Sequence, residues 1–110
     1  MKLIQSKTLL AAFSTMLLSS PLACLAADGA TLYMTKTCVA CHGKDAKTPL
    51  LPEYPKLAGQ NAAYALQQMK DIKSGARNNA QTASMKGVMH LVTEEEMAAL
   101  ADYLQSLPAQ

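Results

Sequence analysis

The run Cys38-Val39-Ala40-Cys41-His42 constrains this chain more than any other stretch of it. Two cysteines separated by two residues, with a histidine directly after, can close a disulfide, contribute to a zinc site or attach a haem. Each chemistry demands different surroundings. A Cys38–Cys41 disulfide would leave His42 without a role, and so short a loop restricts the unfolded chain little. A thioredoxin-like redox pair belongs beside a strand–helix–strand pattern, which the sequence lacks. A closed zinc site takes four ligands, and no second cysteine pair supplies the missing ones. Haem attachment uses all three residues. On a helical turn, positions three apart share a face, so both thiols can reach the two vinyl groups of one haem. His42 then offers its imidazole to the iron. Cys-x-x-Cys-His is a signature of such attachment.

Composition matters here because a bound haem would fill a core that the chain otherwise lacks. The first 26 of 110 residues carry Lys2 and Lys7, an apolar run from Leu9 to Leu18, and small residues Cys24 and Ala26 before a cut after Ala26. That is the layout of a secretory signal, and the apolar run is shorter than the ~20 residues of a membrane-spanning helix. The expected organisation is a cleaved signal over 1–26 and a single domain over 27–110. The product would be a periplasmic protein with no stable membrane insertion after cleavage. The odd cysteine, Cys24, leaves with the signal; its alternative is lipid modification, although Pro21 stands where lipoprotein signals usually have leucine.

Removing 26 residues from 110 leaves 84, without tryptophan, with four tyrosines, and without the chain's one phenylalanine, Phe13. Domains this small bury little core and gain from a staple or cofactor. Lys2 and Lys7 depart too, so ten basic residues become eight against eight acids. The domain is formally neutral, and nothing in it forms the basic stripe of a nucleic-acid binder.

Periodicity predicts helices and no strands. Asp28 can cap a first helix running through Gly29-Ala-Thr-Leu-Tyr-Met-Thr-Lys-Thr37 into the cysteine motif. A loop with Pro49, Pro52 and Pro55 follows. Ala65, Met69, Ile72 and Ala76, with Leu66 alongside, share the face of a second long helix stopped by Gly75. Thr93 and Glu96 form a capping box ahead of the stripe Met97, Leu100, Ala101 and Leu104, and Pro108 follows the end. Between these helices the sequence reads as a polar, irregular segment from which Met85 emerges.

That methionine bears on the other side of the iron. A His/Met pair is the ligation of cytochrome electron carriers and raises the reduction potential. Met85, Met89 and His90 are the candidates. Met69 and Met97 lie on apolar helix faces, where core packing explains them. Met89 lies in an apolar run that can pack on the last helix, whereas Met85 stands in the irregular segment and is preferred.

With "CVACHG", "YPKLAGQ", "YALQQMKDIKSGAR", "SMKGVM" and "TEEEMAALADYL", the chain resembles the class I cytochromes c, in particular the short single-haem periplasmic group, from about Asp28 to Leu107. The resemblance implies an all-α cytochrome c fold of three to four helices around one covalently attached haem c. It implies that the Pro55 carbonyl receives a hydrogen bond from His42, with Leu57 and Gly59 completing that motif. The family's spacing to the last helix also selects Met85. Gly29 and Tyr33 would meet Leu100 and Tyr103 where the first and last helices cross, with Ala30 and Met34 as the alternative facing pair. Arg77 is a candidate contact for a haem propionate, its alternative being a solvated loop arginine.

The expected function is one-electron transfer by a monomer, through a small transient interface with redox protein partners at the haem edge. No triad, phosphate loop or carboxylate pair points to an enzyme. An electron-transfer subunit of a periplasmic oxidoreductase complex and a haem-based ligand sensor are the alternatives. Lys44, Lys47, Lys56 and Lys86 flank the haem-binding segments and could steer an acidic partner.

Overall fold

The computed structural model describes residues 27–110; the expected signal at 1–26, Cys24 included, lies outside the described residues. Five helices follow one another: α1 (Gly29–Thr35), α2 (Cys38–His42), α3 (Ala62–Ser74), α4 (Thr82–Met89) and α5 (Glu94–Ser106). No strand forms among the described residues. The all-α expectation holds, with five helices where three to four were expected.

α1 begins where the sequence says: Asp28 Oδ1 accepts from the Thr31 amide at 2.8 Å. It does not run on into the cysteine motif. The helix ends at Thr35, and Thr37 takes a left-handed φ of 68° before α2 starts. Leu32 and Tyr33 are buried on α1, Cys38 and His42 on α2. On an unbroken helix His42 would lie about half a turn away from Tyr33, so a break is needed for both to line the same cavity.

α1 crosses α5 at Gly29, where a Cβ would overlap the Ala99 carbonyl and the Tyr103 side chain. One turn on, Tyr33 is 1% exposed and its ring lies 5.7 Å from that of Tyr103. Gly29 and Tyr33 are therefore the facing pair; Ala30 and Met34 are exposed. α5 keeps its full predicted stripe, since Met97, Leu100, Ala101 and Leu104 are all buried. Both halves of its capping box form: the Glu96 amide donates to Thr93 Oγ1 at 3.2 Å, and the Thr93 amide donates to Glu96 Oε2 at 3.1 Å.

α3 buries Ala65, Met69 and Ile72 and packs against α5 and α4. It ends at Gly75, whose φ of 87° suits glycine; Ala76 falls beyond that end and is exposed. The polar segment after it is not irregular throughout, as the sequence suggested. Residues 82–89 form α4, with Met85 inside it. Its first residue has no side-chain cap, so no local signal announces it. Burial of Thr82 and Met89 and packing on α3 stabilise it instead.

Candidate cofactor and metal site

A cavity of about 310 Å³ lies between α2, α3, α4 and the loop around Pro55. Its walls follow from helical periodicity. Tyr64, Ala65, Gln68, Met69 and Ile72 line it from α3; Ser84, Met85, Val88 and Met89 line it from α4. Each set repeats at three- and four-residue spacing, one face of a helix. Leu100 and Leu104 of α5 close the apolar side.

Cys38, Cys41 and His42 all border this space. Both cysteines are unpaired thiols, Cys38 buried and Cys41 partly so. Burial pushes the Cys38 thiol up, and Cys41 nearby adds to the shift. His42 is 6% exposed, and its Nδ1 donates to the Pro55 carbonyl at 2.9 Å. A carbonyl only accepts, so this contact fixes a proton on Nδ1, and in the neutral ring it leaves Nε2 with its lone pair. Burial pulls the His42 pKa down, against the opposing effect of the Pro55 bond. The imidazole is thus held in the neutral form that binds a metal.

The sequence alone did not reveal how Pro55 is held. Ala46 is 0% exposed, with φ at 58°. Its carbonyl accepts from the amides of Leu57 at 2.7 Å and Ala58 at 3.0 Å, and its own amide donates to the Gly43 carbonyl at 3.2 Å. Asp45 shapes the turn, its Oδ1 accepting from the amides of Lys47 and Thr48 at 2.9 and 2.8 Å. Those bonds hold the Asp45 carboxyl below the usual carboxylate range. Tyr33 adds a brace, its hydroxyl donating to the Gly43 carbonyl at 2.7 Å. Burial pushes that phenol well above its usual range. An aspartate three residues before a threonine was the available signal for this turn.

On the α4 side of the cavity Met85 is half-buried beside the core. Met89 also borders the cavity but is 0% exposed and belongs to the core cluster. His90 is exposed and is not among the cavity-lining residues. Arg77 is half-buried at the cavity, and its Nη1 donates to Gln68 Oε1 at 3.0 Å; Gln68 escaped sequence reasoning. Of the four lysines, Lys56 borders the cavity, whereas Lys47 Nζ donates to a Gln110 oxygen at 2.8 Å.

The donor set fits a haem. Two thiols three residues apart, a neutral buried imidazole and a thioether surround a cavity whose walls are mainly apolar. No buried side-chain nitrogen or oxygen among the described residues lacks a partner, so the apolar walls ask for an apolar occupant. The described residues thus define an all-helical domain whose cavity is fitted to a metal cofactor anchored through two thiols.

Comparison with known proteins makes the class specific. The family described as Cytochrome c matches residues 26–108. The chain is 42% identical over 69 residues to cytochrome c4 of Pseudomonas aeruginosa, covering 63% of this chain and 32% of that protein. It is 35% identical over 85 residues to cytochrome c-553 of Nitratidesulfovibrio vulgaris, covering 77% and 81%. A thiosulfate dehydrogenase electron acceptor of Stutzerimonas stutzeri is 36% identical over 91 residues, 76% of this chain and 41% of that protein. The crystal structure of reduced recombinant cytochrome c4 from Pseudomonas stutzeri superposes with a TM-score of 0.64 at 32% identity, over 73% of this chain and 46% of that one. The chain thus spans less than half the length of several relatives it matches. It belongs to the cytochrome c family, as a class I c-type cytochrome, and its cofactor is covalently bound haem c.

Proposed function

We propose that this chain is a periplasmic one-electron carrier in which Cys38 and Cys41 hold the haem and His42 and Met85 ligate its iron. The observation that carries the reading is the His42 Nδ1–Pro55 carbonyl bond, which orients a neutral imidazole at the edge of an apolar cavity. Cys38 and Cys41 would hold the haem by adding each S–H across one vinyl group, sulfur to one carbon and hydrogen to the other, an attachment that would consume no oxidant. The bound iron supplies a ferric/ferrous couple. The protein's own residues determine how that couple behaves. Pro55 raises the basicity of His42, while the Met85 thioether and the apolar walls favour the less charged state and lift the potential.

With His42 and Met85 both holding the iron, no position would be left open to an outside ligand, which favours electron transfer over ligand sensing. Arg77, held by Gln68, is suited to one propionate. The names of the relatives, cytochromes and an electron acceptor, support transient docking with redox proteins rather than catalysis by this chain. Residues 1–26 act as the export signal, and the mature protein starts at Ala27 as a monomer.

Expression of the full chain in a host that attaches haem tests the reading. The mature product should gain the mass of one haem and show the weak long-wavelength ferric band of methionine–iron ligation. Met85→Ala should abolish that band. Its survival would transfer the role to Met89, and a colourless product with two titratable thiols would overturn the reading.

A further inference from the structure

We propose that Lys36 and Lys73 are positioning residues for the sixth iron ligand: together they staple the exit of α4, the helix that carries Met85. The proposal rests on the reading that Met85 ligates the iron.

Among the described helices α4 packs only on α3. Its position over the cavity therefore depends heavily on what fixes its ends. At the C-terminal end, the Lys86 and Val88 carbonyls accept from the His90 and Leu91 amides, and the Met89 carbonyl from Val92. Beyond His90, the carbonyls of Leu91 and Val92 are taken by lysines from two other segments. Lys36 Nζ, just past α1, donates to the Leu91 carbonyl at 2.8 Å; Lys73 Nζ, in the last turn of α3, donates to the Val92 carbonyl at 2.6 Å.

Lys36 also lies 3.3 Å from Glu96 Oε2, the carboxylate that completes the α5 capping box. Three helices thus converge through charge on the link that follows α4. Hydrogen bonds with a charged donor are about twice as strong as neutral ones, and cations suit the negative end of a helix. Leu91 is 62% exposed while Val92 is 1% exposed, so the link is held by the burial of Val92 together with the two lysines.

An exogenous ligand can bind the iron only in molecules whose methionine has moved away, so its apparent affinity scales with the fraction in that state. Loosening the staple raises that fraction. Imidazole titration of the ferric holoprotein, followed by loss of the methionine–iron band, reads it directly. Lys36→Met/Lys73→Met should bind imidazole about tenfold more tightly than the parent, with the band still present before imidazole is added.

Lys70→Met is the control. Lys70 also reaches α5, pairing with Glu94 at 3.7 Å on an exposed surface, while the two carbonyls at the α4 exit are held by Lys36 and Lys73. It should leave imidazole affinity unchanged. Lys73→Arg, which keeps a cationic donor, should stay nearer to the parent than Lys73→Met. Parent-like affinity in the double variant, or an equal gain in Lys70→Met, overturns the staple. The single variants provide the same reading should the double variant fail to fold. Failure of the ligand assignment appears separately, as a parent band that survives Met85→Ala.

Discussion

At the scale of single residues, the site depends on contacts that place His42 without touching a cofactor. Gly43, its neighbour, has a carbonyl that receives two donors, the Tyr33 hydroxyl and the Ala46 amide. Tyr33→Phe keeps the ring against Tyr103 and removes the hydroxyl alone. Because the carbonyl retains Ala46, the expected loss is about 1 kcal/mol, measured by guanidinium denaturation of the ferric holoprotein. Cys38, Cys41 and His42 were legible in the sequence because their chemistry is encoded by type and spacing, whereas Pro55 came from the resemblance to a family. Ala46 was not legible. Its role comes from its backbone, folded into a left-handed turn with no room around the side chain, and an alanine gives no sign of that. Gln68 was hidden for another reason: its partner Arg77 lies nine residues away, beyond the end of α3, and is brought back when its amide donates to the Asp71 carbonyl at 3.0 Å.

At the scale of elements, α5 and α4 stand at opposite ends of legibility. α5 carries its own instructions, a capping box followed by an apolar stripe, and every part of that pattern forms. Thr93→Ala should cost the holoprotein about 1 kcal/mol at neutral pH, read by the same denaturation. The box also gives α5 a pH dependence. Glu96 is held below its usual range, first by the Thr93 amide and then by Lys36, against the opposing effect of burial. A depressed carboxyl binds fewer protons when folded than when unfolded. Its stabilisation is therefore complete above the unfolded value and is lost as pH falls through the folded one. Glu96→Gln should flatten that acid-side decline, and a parent-like slope would count against the box as its source. α4 carries no such instructions. Gln81 makes no side-chain capping bond, so the helix takes shape only once Met89 and Thr82 have a core to enter. Met85 was identified as a candidate while its helix was missed, because ligand chemistry is local and α4 is not.

At the scale of the whole molecule, the domain is close to neutral, so any long-range steering of partners depends on where charge sits rather than on how much there is. Lys56, exposed beside the cavity, is the lysine to test. Lys56→Glu should slow electron exchange with an acidic redox protein roughly threefold to tenfold at low salt. The difference should vanish once screening shortens the Debye length to ~3 Å near 1 M salt. Stopped-flow rates at several ionic strengths would show both. The bend at Thr37 has a bearing on how such a chain can vary. α1 takes its rotational setting from Gly29 and Tyr33 against α5, α2 takes its own from the cavity, and the Tyr33 hydroxyl on the Gly43 carbonyl ties one to the other across the bend. The interval from Tyr33 to Cys38 is consequently a joint of set length, where a residue gained or lost has to be taken up at the left-handed Thr37 or else parts the tyrosine from the carbonyl beside the histidine.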